Sequence, residues 1–251
     1  MSIQVTSASE LKIKLFADGA DIDGMLRMYA KPWIKGFTTN PTLMRKAGIQ
    51  DYAGFAKQVL LAIPDRPISF EVFADDFAAM EEQAIEIAQW GENVYVKIPI
   101  TNTKRESSVD LARRLASRGV KLNVTALLTL EQVRGIAGAL AGGPPACVSV
   151  FAGRIADTGI DPLPLMKNAV EILAQHSNIE LIWASPREVL NIVQADSIGC
   201  HIITVTNDIL GKLDLIGKNL DDFSLETVQM FYRDATASGF SLVRKHELPV
   251  S

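Results

Sequence analysis

The chain lacks most of the features that mark specialised protein classes. Charged residues make up 22% of it and nearly cancel, leaving a formal net charge of −4. It therefore has neither the basic footprint of a nucleic-acid binder nor a polybasic face for a membrane surface. No uninterrupted apolar window reaches the ~18 residues of a membrane span. The opening Met1-Ser2-Ile3-Gln4 has no basic segment leading into an apolar stretch, so cytoplasmic residence is expected. There are only two cysteines, Cys147 and Cys200. Both sit in apolar runs without metal-type spacing and read as reduced thiols packed in a core. Internal repeats, low-complexity tracts and Pro-, Gly- or Ser-rich linkers are missing too, so residues 1–251 are expected to form one domain.

What is present is a hydrophobic content of 48% and a regular alternation of short β-rich runs with helical patterns. The runs are 12–17, 34–38, 68–72, 94–98, 121–124, 147–150, 180–184 and 201–204. Helix punctuation falls between them: 75–89 closes at Gly91, 107–118 closes at Gly119, and Asp161-Pro162 opens another helix as cap and first-turn proline. Eight such units predict an α/β fold, a single (β/α)8 TIM barrel. Residues 224–238, with Ser224 as cap and Gly239 as terminator, predict an extra C-terminal helix suited to an oligomer contact.

In such a barrel the chemistry sits where strands end, so polar residues at those ends are the candidates. They are Asp18, Thr38-Thr39-Asn40, Glu71, Lys97, Asn123 with Thr125, Ser149 with Phe151, and Ser185. Side chains alternate along a strand, so Asn123 shares a face with Thr125, and Ser149 with Phe151. Lys97 lies in the apolar run Val94-Tyr95-Val96-Lys97-Ile98, where an unpaired charge is costly. A dry, neutral amine there is the nucleophile that condenses with a ketone to a Schiff base. The competing reading is a lysine that reaches the rim or pairs with Glu71 or Asp18.

Asp18-Gly19 reads either as a turn or as a carboxylate that moves a proton opposite Lys97. Asn40 before Pro41 reads also as the cap of a short helix ending at Gly48. Ser185-Pro186-Arg187-Glu188 has the form of a capping box. A capped helix start carrying Arg187, with Arg154 nearby, makes a candidate phosphate site, against the alternative of solvated salt bridges. Asp21-Ile22-Asp23-Gly24 is not a calcium loop, because Gly19 and Ala30 stand where that loop needs carboxylates.

Six segments together resemble the transaldolase family: Phe16-Ala17-Asp18-Gly19, Gly36-Phe37-Thr38-Thr39-Asn40-Pro41-Thr42, Val96-Lys97-Ile98-Pro99, Asn123-Val124-Thr125, Ser149-Val150-Phe151-Ala152-Gly153-Arg154 and Ala184-Ser185-Pro186-Arg187. The resemblance implies that Lys97 forms the Schiff base and that Asp18 is the acid/base at the C4 hydroxyl. By the same resemblance Glu71 and Thr125 position a proton-shuttling water. Asn40, Asn123 and Ser149 hold the dihydroxyacetone fragment, and Arg154, Ser185 and Arg187 grip a sugar phosphate. It implies no metal or organic cofactor, sugar-phosphate substrates, a place in the pentose phosphate pathway, and a homo-oligomer, a pentamer or decamer, as in the small branch shared with fructose 6-phosphate aldolases.

The aldolases of that branch tend to carry Gln and Tyr where this chain has Glu71 and Phe151, so transfer is expected over cleavage. Pro186 stands where an aromatic residue is more usual, which points to a reshaped phosphate end. A barrel that binds sugar phosphate without catalysis is the remaining reading. The retained amine, carboxylate and amides argue against it.

Overall fold

The computed structural model describes residues 7–239; the opening Met1 to Gln4 lies outside them. Eight parallel strands close into one barrel in sequential order. The first half runs β1 (Lys14–Asp18), α1 (Ile22–Tyr29), β2 (Ile34–Thr38), α2 (Pro41–Lys46), α3 (Tyr52–Ala62), β3 (Ile68–Glu71), α4 (Phe77–Ala88) and β4 (Val94–Pro99). The second half runs α5 (Val109–Ser117), β5 (Leu122–Leu127), α6 (Leu130–Leu140), β6 (Ala146–Val150), α7 (Ala152–Asp157), α8 (Leu163–Leu173), β7 (Ile179–Trp183), α9 (Val189–Ser197), β8 (Ile202–Thr206), α10 (Asn207–Leu210) and α11 (Leu220–Ser238). All eight expected runs are strands, with ends displaced by a few residues.

Five helix starts differ from expectation, two of them by a simple two-residue delay, at Phe77 in α4 and Val109 in α5. The C-terminal helix begins at Leu220, because Asn219 accepts from the N–H groups of Asp221 and Asp222. Ser224 lies inside it. Helix α8 starts one residue late, at Leu163, after Pro162, while Asp161 still accepts the Leu163 N–H at 3.0 Å. The remaining one lies in the loop at Ser185, which borders the site.

Apolar side chains on the outer faces of the strands meet the helices in one large core, which includes the buried Cys200. A second, smaller cluster fills the barrel itself: Phe16, Cys147, Ile182, Ala184 and Ile202, with Tyr95 and Phe151 packed against it. Both thiols are free. Burial pushes both well above their ordinary range, so they remain unreactive packing groups.

The interior packing depends on Gly36. A Cβ there would lie 2.5–2.7 Å from three ring carbons of Phe16, inside van der Waals contact. Gly36→Ala is expected to destabilise the protein by about 1–3 kcal/mol through overpacking, read as a lower denaturant midpoint at unchanged slope.

Candidate active site

Above that apolar plug the barrel interior turns polar. Lys97 is register partner to Glu71 on one side and Asn123 on the other, so the three side chains leave neighbouring strands towards the same face. The Lys97 amine donates to the Thr39 carbonyl at 2.5 Å. Glu71 is 5% exposed. Its Oε2 lies 2.7 Å from the Thr39 hydroxyl, and its Oε1 is buried with no partner among the described residues. The same Thr39 hydroxyl lies 2.9 Å from the Ser69 carbonyl. It can therefore donate to a Glu71 carboxylate, or accept from a protonated Glu71 while donating to Ser69.

Asp18 closes β1. Its two oxygens accept from the Thr38 hydroxyl at 2.8 Å and from the Asn40 amide at 3.1 Å. Thr38 in turn shares a 2.5 Å hydrogen bond with Thr204 of β8. Asn40 works at both ends of its amide, because its Oδ1 accepts the Leu43 N–H at 2.9 Å and caps α2. The cap reading and the site reading of Asn40 are thus compatible.

Burial raises the Asp18 carboxyl above its usual range; Lys97, Thr38 and Asn40 act in the opposite direction. Burial likewise raises Glu71, opposed chiefly by Lys97 and Thr39 and reinforced by Asp18. One lysine amine thus faces two carboxyls that both resist ionising.

Asn123 is fully buried. It donates to the Ser69 hydroxyl at 3.0 Å and accepts from Ser149 at 2.7 Å. Thr125, two residues on, is half-buried next to a register shift in β5, where Ala126 takes a φ of 66°. Phe151 packs against the barrel plug, and the Arg154 guanidinium lies 5.8 Å from its ring centre.

The loop after β7 departs from expectation. Ser185 does not cap a helix: it has a left-handed φ of 63°, and α9 begins only at Val189 with Glu188 as its cap. Asn191 is the reason, since its Oδ1 accepts the N–H groups of both Arg187 and Glu188, at 2.7 and 3.2 Å. The helix start expected to bind phosphate is therefore already filled. Arg187 is exposed, donates to the Ser185 hydroxyl at 3.0 Å and forms a two-point ion pair with Asp157. Gly153 lets α7 approach this loop, because a Cβ there would meet the Ser185 carbonyl at 1.6 Å. Arg154, Ser185 and Arg187 thus share one rim of the barrel.

Sequence reasoning placed Thr38 and Thr39 among the strand-end candidates without giving either a role, and passed over Ser69, Thr204 and Tyr52. For Ser69 a signal existed, since it sits two residues before Glu71 and so on the same strand face. Among the described residues no cluster of three or more His, Cys, Asp or Glu could hold a metal ion. No helix among them is long and apolar enough to cross a membrane.

An amine, two carboxyls and an amide converging inside one end of a parallel eight-stranded barrel are the equipment of a barrel enzyme. Residues 15–242 match the family model described as Transaldolase/Fructose-6-phosphate aldolase, and the chain belongs to that family, an enzyme of the transaldolase class. It is 36% identical over 202 residues to a "probable transaldolase" of Dehalococcoides mccartyi, covering 80% of this chain and 90% of the relative. A second protein of that name, from Thermoanaerobacter sp., is 33% identical over 224 residues, 89% of this chain and 98% of the relative. The solved dihydrodipicolinate synthase from Rhodopseudomonas palustris aligns with a TM-score of 0.57 at 13% identity, over 91% of this chain and 81% of that one. That likeness is one of fold alone.

Proposed function

We propose that this protein transfers a dihydroxyacetone unit between sugar phosphates through a Schiff base on Lys97. The observation that carries the reading is the Lys97 amine, register-paired between Glu71 and Asn123. The amine nitrogen adds to the ketose C2 carbonyl, and loss of water leaves an iminium ion. Asp18 takes the C4 hydroxyl proton, the C3–C4 bond breaks, and its electron pair passes into the iminium to give an enamine. The aldose phosphate leaves, an acceptor aldehyde enters, and the same steps run in reverse. The unpartnered Oε1 of Glu71 suits it to hold, with Thr125, the water gained and lost in carbinolamine formation. Asn40, Asn123 and Ser149 hydrogen-bond the fragment's hydroxyls.

Transfer is favoured over aldolase cleavage because Phe151 supplies no phenol to deliver a proton to the enamine. The deciding test is borohydride reduction with fructose 6-phosphate, followed by peptide mapping, then turnover with and without erythrose 4-phosphate. No adduct, or one on another lysine, would sink the reading. Continuous release of glyceraldehyde 3-phosphate and dihydroxyacetone with no acceptor present would replace transfer by cleavage, because transfer alone stops after one equivalent per Lys97.

Arg154, Ser185 and Arg187 would bind the phosphate, with the Arg187 guanidinium exchanging Asp157 for it. Arg187→Ala is therefore expected to raise KM for phosphorylated ketoses by about 10- to 100-fold, with kcat changed far less. Steady-state kinetics with fructose 6-phosphate against fructose checks this, and an equal effect on both sugars would exclude the role.

Residues 1–251 are read as one barrel domain acting in the cytoplasm and in a homo-oligomer. Support for assembly comes from α11, whose 19 residues include none that is buried although they carry Leu220, Leu225, Val228, Phe231 and Tyr232.

A further inference from the structure

Two rungs are missing from the β2–β3 ladder beside the candidate nucleophile, and a single side chain replaces both. In this parallel pair Phe37 donates to the Pro67 carbonyl and Thr39 to the Ser69 carbonyl. The register then requires the next two rungs to involve Glu71: its N–H donating to the Thr39 carbonyl, and its own carbonyl accepting from residue 41. Neither forms. Residue 41 is proline and has no N–H to give. The Thr39 carbonyl accepts from the Lys97 amine instead. The Tyr52 hydroxyl takes up both orphans, accepting the Glu71 N–H at 2.8 Å and donating to the Glu71 carbonyl at 3.1 Å.

Tyr52 is itself held by ring contacts with Phe70, Phe73 and Trp90, at 6.1, 4.7 and 5.4 Å between centroids. Its hydroxyl is thus aimed by an aromatic cluster outside the barrel, while the Glu71 carboxyl points within.

We propose that Tyr52 is a positioning residue for Schiff-base formation, resting on the reading of Lys97 given above. By satisfying both main-chain groups of Glu71, its hydroxyl keeps the ladder open and leaves the Thr39 carbonyl free to hold the Lys97 amine. It also fixes the backbone from which the Glu71 carboxyl projects. Burial, reinforced by the nearby Glu71, raises the phenol's pKa above its ordinary value, so it stays protonated and able to donate and accept at once. Without the hydroxyl, the Glu71 N–H would recapture the Thr39 carbonyl, the nearest acceptor in register, and draw it away from the amine.

The test compares Tyr52→Phe, which keeps the ring and loses the hydroxyl, with Phe73→Leu, which loses a ring contact and keeps the hydroxyl. Single-turnover borohydride trapping with fructose 6-phosphate measures the rate of adduct formation, and steady-state assays give kcat and KM. For Tyr52→Phe the adduct rate and kcat are expected to fall about 10- to 100-fold with KM within about twofold of the parent. Phe73→Leu is expected to melt lower and react at the parent rate. An unchanged adduct rate in Tyr52→Phe overturns the proposal, and so does an equal loss in both variants, which would make ring packing the cause. If Tyr52→Phe does not fold, 3,5-difluorotyrosine at position 52 weakens the oxygen as an acceptor while keeping the ring. It should slow the adduct about two- to fivefold, and a parental rate there overturns the proposal equally. Absence of any adduct in the parent protein would instead remove the Lys97 reading, and this inference with it.

Discussion

Lys97→Met is expected to abolish the reducible adduct and to lower kcat/KM by at least about four orders of magnitude, because no other group supplies the covalent electron sink. The fold should survive at neutral pH, because the substitution conserves volume. A dependence on pH should nevertheless appear. Burial raises both Asp18 and Glu71, and the Lys97 charge is the largest influence holding each of them down. Removing it raises both carboxyls further. An acid whose folded value lies above its unfolded one contributes stability below the unfolded value and loses it as pH rises through the folded one. The variant should therefore lose more melting temperature than the parent between about pH 5 and pH 8. A variant unfolded at both pH values would make residue 97 a structural lysine.

Asp18→Ala is expected to separate the two halves of the chemistry. The adduct on Lys97 should still form, since nucleophilic addition at C2 does not use this carboxyl. Cleavage of the C3–C4 bond should slow by about 10²–10⁴-fold, the usual worth of a positioned acid/base. Quenched-flow trapping would then show accumulation of intact ketose on the lysine, where the parent accumulates the three-carbon fragment. Equal loss of adduct and cleavage would mean that Asp18 serves chiefly to orient the amine. Part of the effect will come through Asn40 and Thr38, which lose their common acceptor.

The barrel was legible because its strands are short, β-branched and evenly spaced, and because a polar side chain in such a run stands out. Lys97 within Val94–Ile98 and Asn123 before Val124 are visible as breaks in an apolar pattern, and strand parity sends them to one face. What sequence does not reveal is work done through the backbone. Tyr52 lies nineteen residues from Glu71, on a helix whose pattern accounts for the ring but not for the hydroxyl. Thr39 acts towards Lys97 through its carbonyl, which every residue possesses.

The Ser185 loop misled for a related reason. A capping box is a local pattern, and Ser185 to Glu188 fulfils it on paper, yet Asn191 competes for the same N–H groups and wins them. The start of α11 shows the same rivalry. Asn219 and Ser224 are both good caps, and the helix extends to the earlier one, gaining a turn with Asp221 and Asp222 near its positive end.

The shared duty of Asn40 constrains how this catalyst can be altered. One amide follows β2, caps α2 and, in the proposed mechanism, braces the carboxylate that takes the C4 hydroxyl proton. Its oxygen is committed to Leu43 and one of its hydrogens to Asp18. Aspartate in its place would keep the cap but set a second negative charge against the first, while serine would keep the cap and fall short of the carboxylate. Retuning for new sugars is therefore better attempted elsewhere on the same mouth, after β7, where Arg187 is exposed and takes no part in the contacts between Asp18 and Asn40.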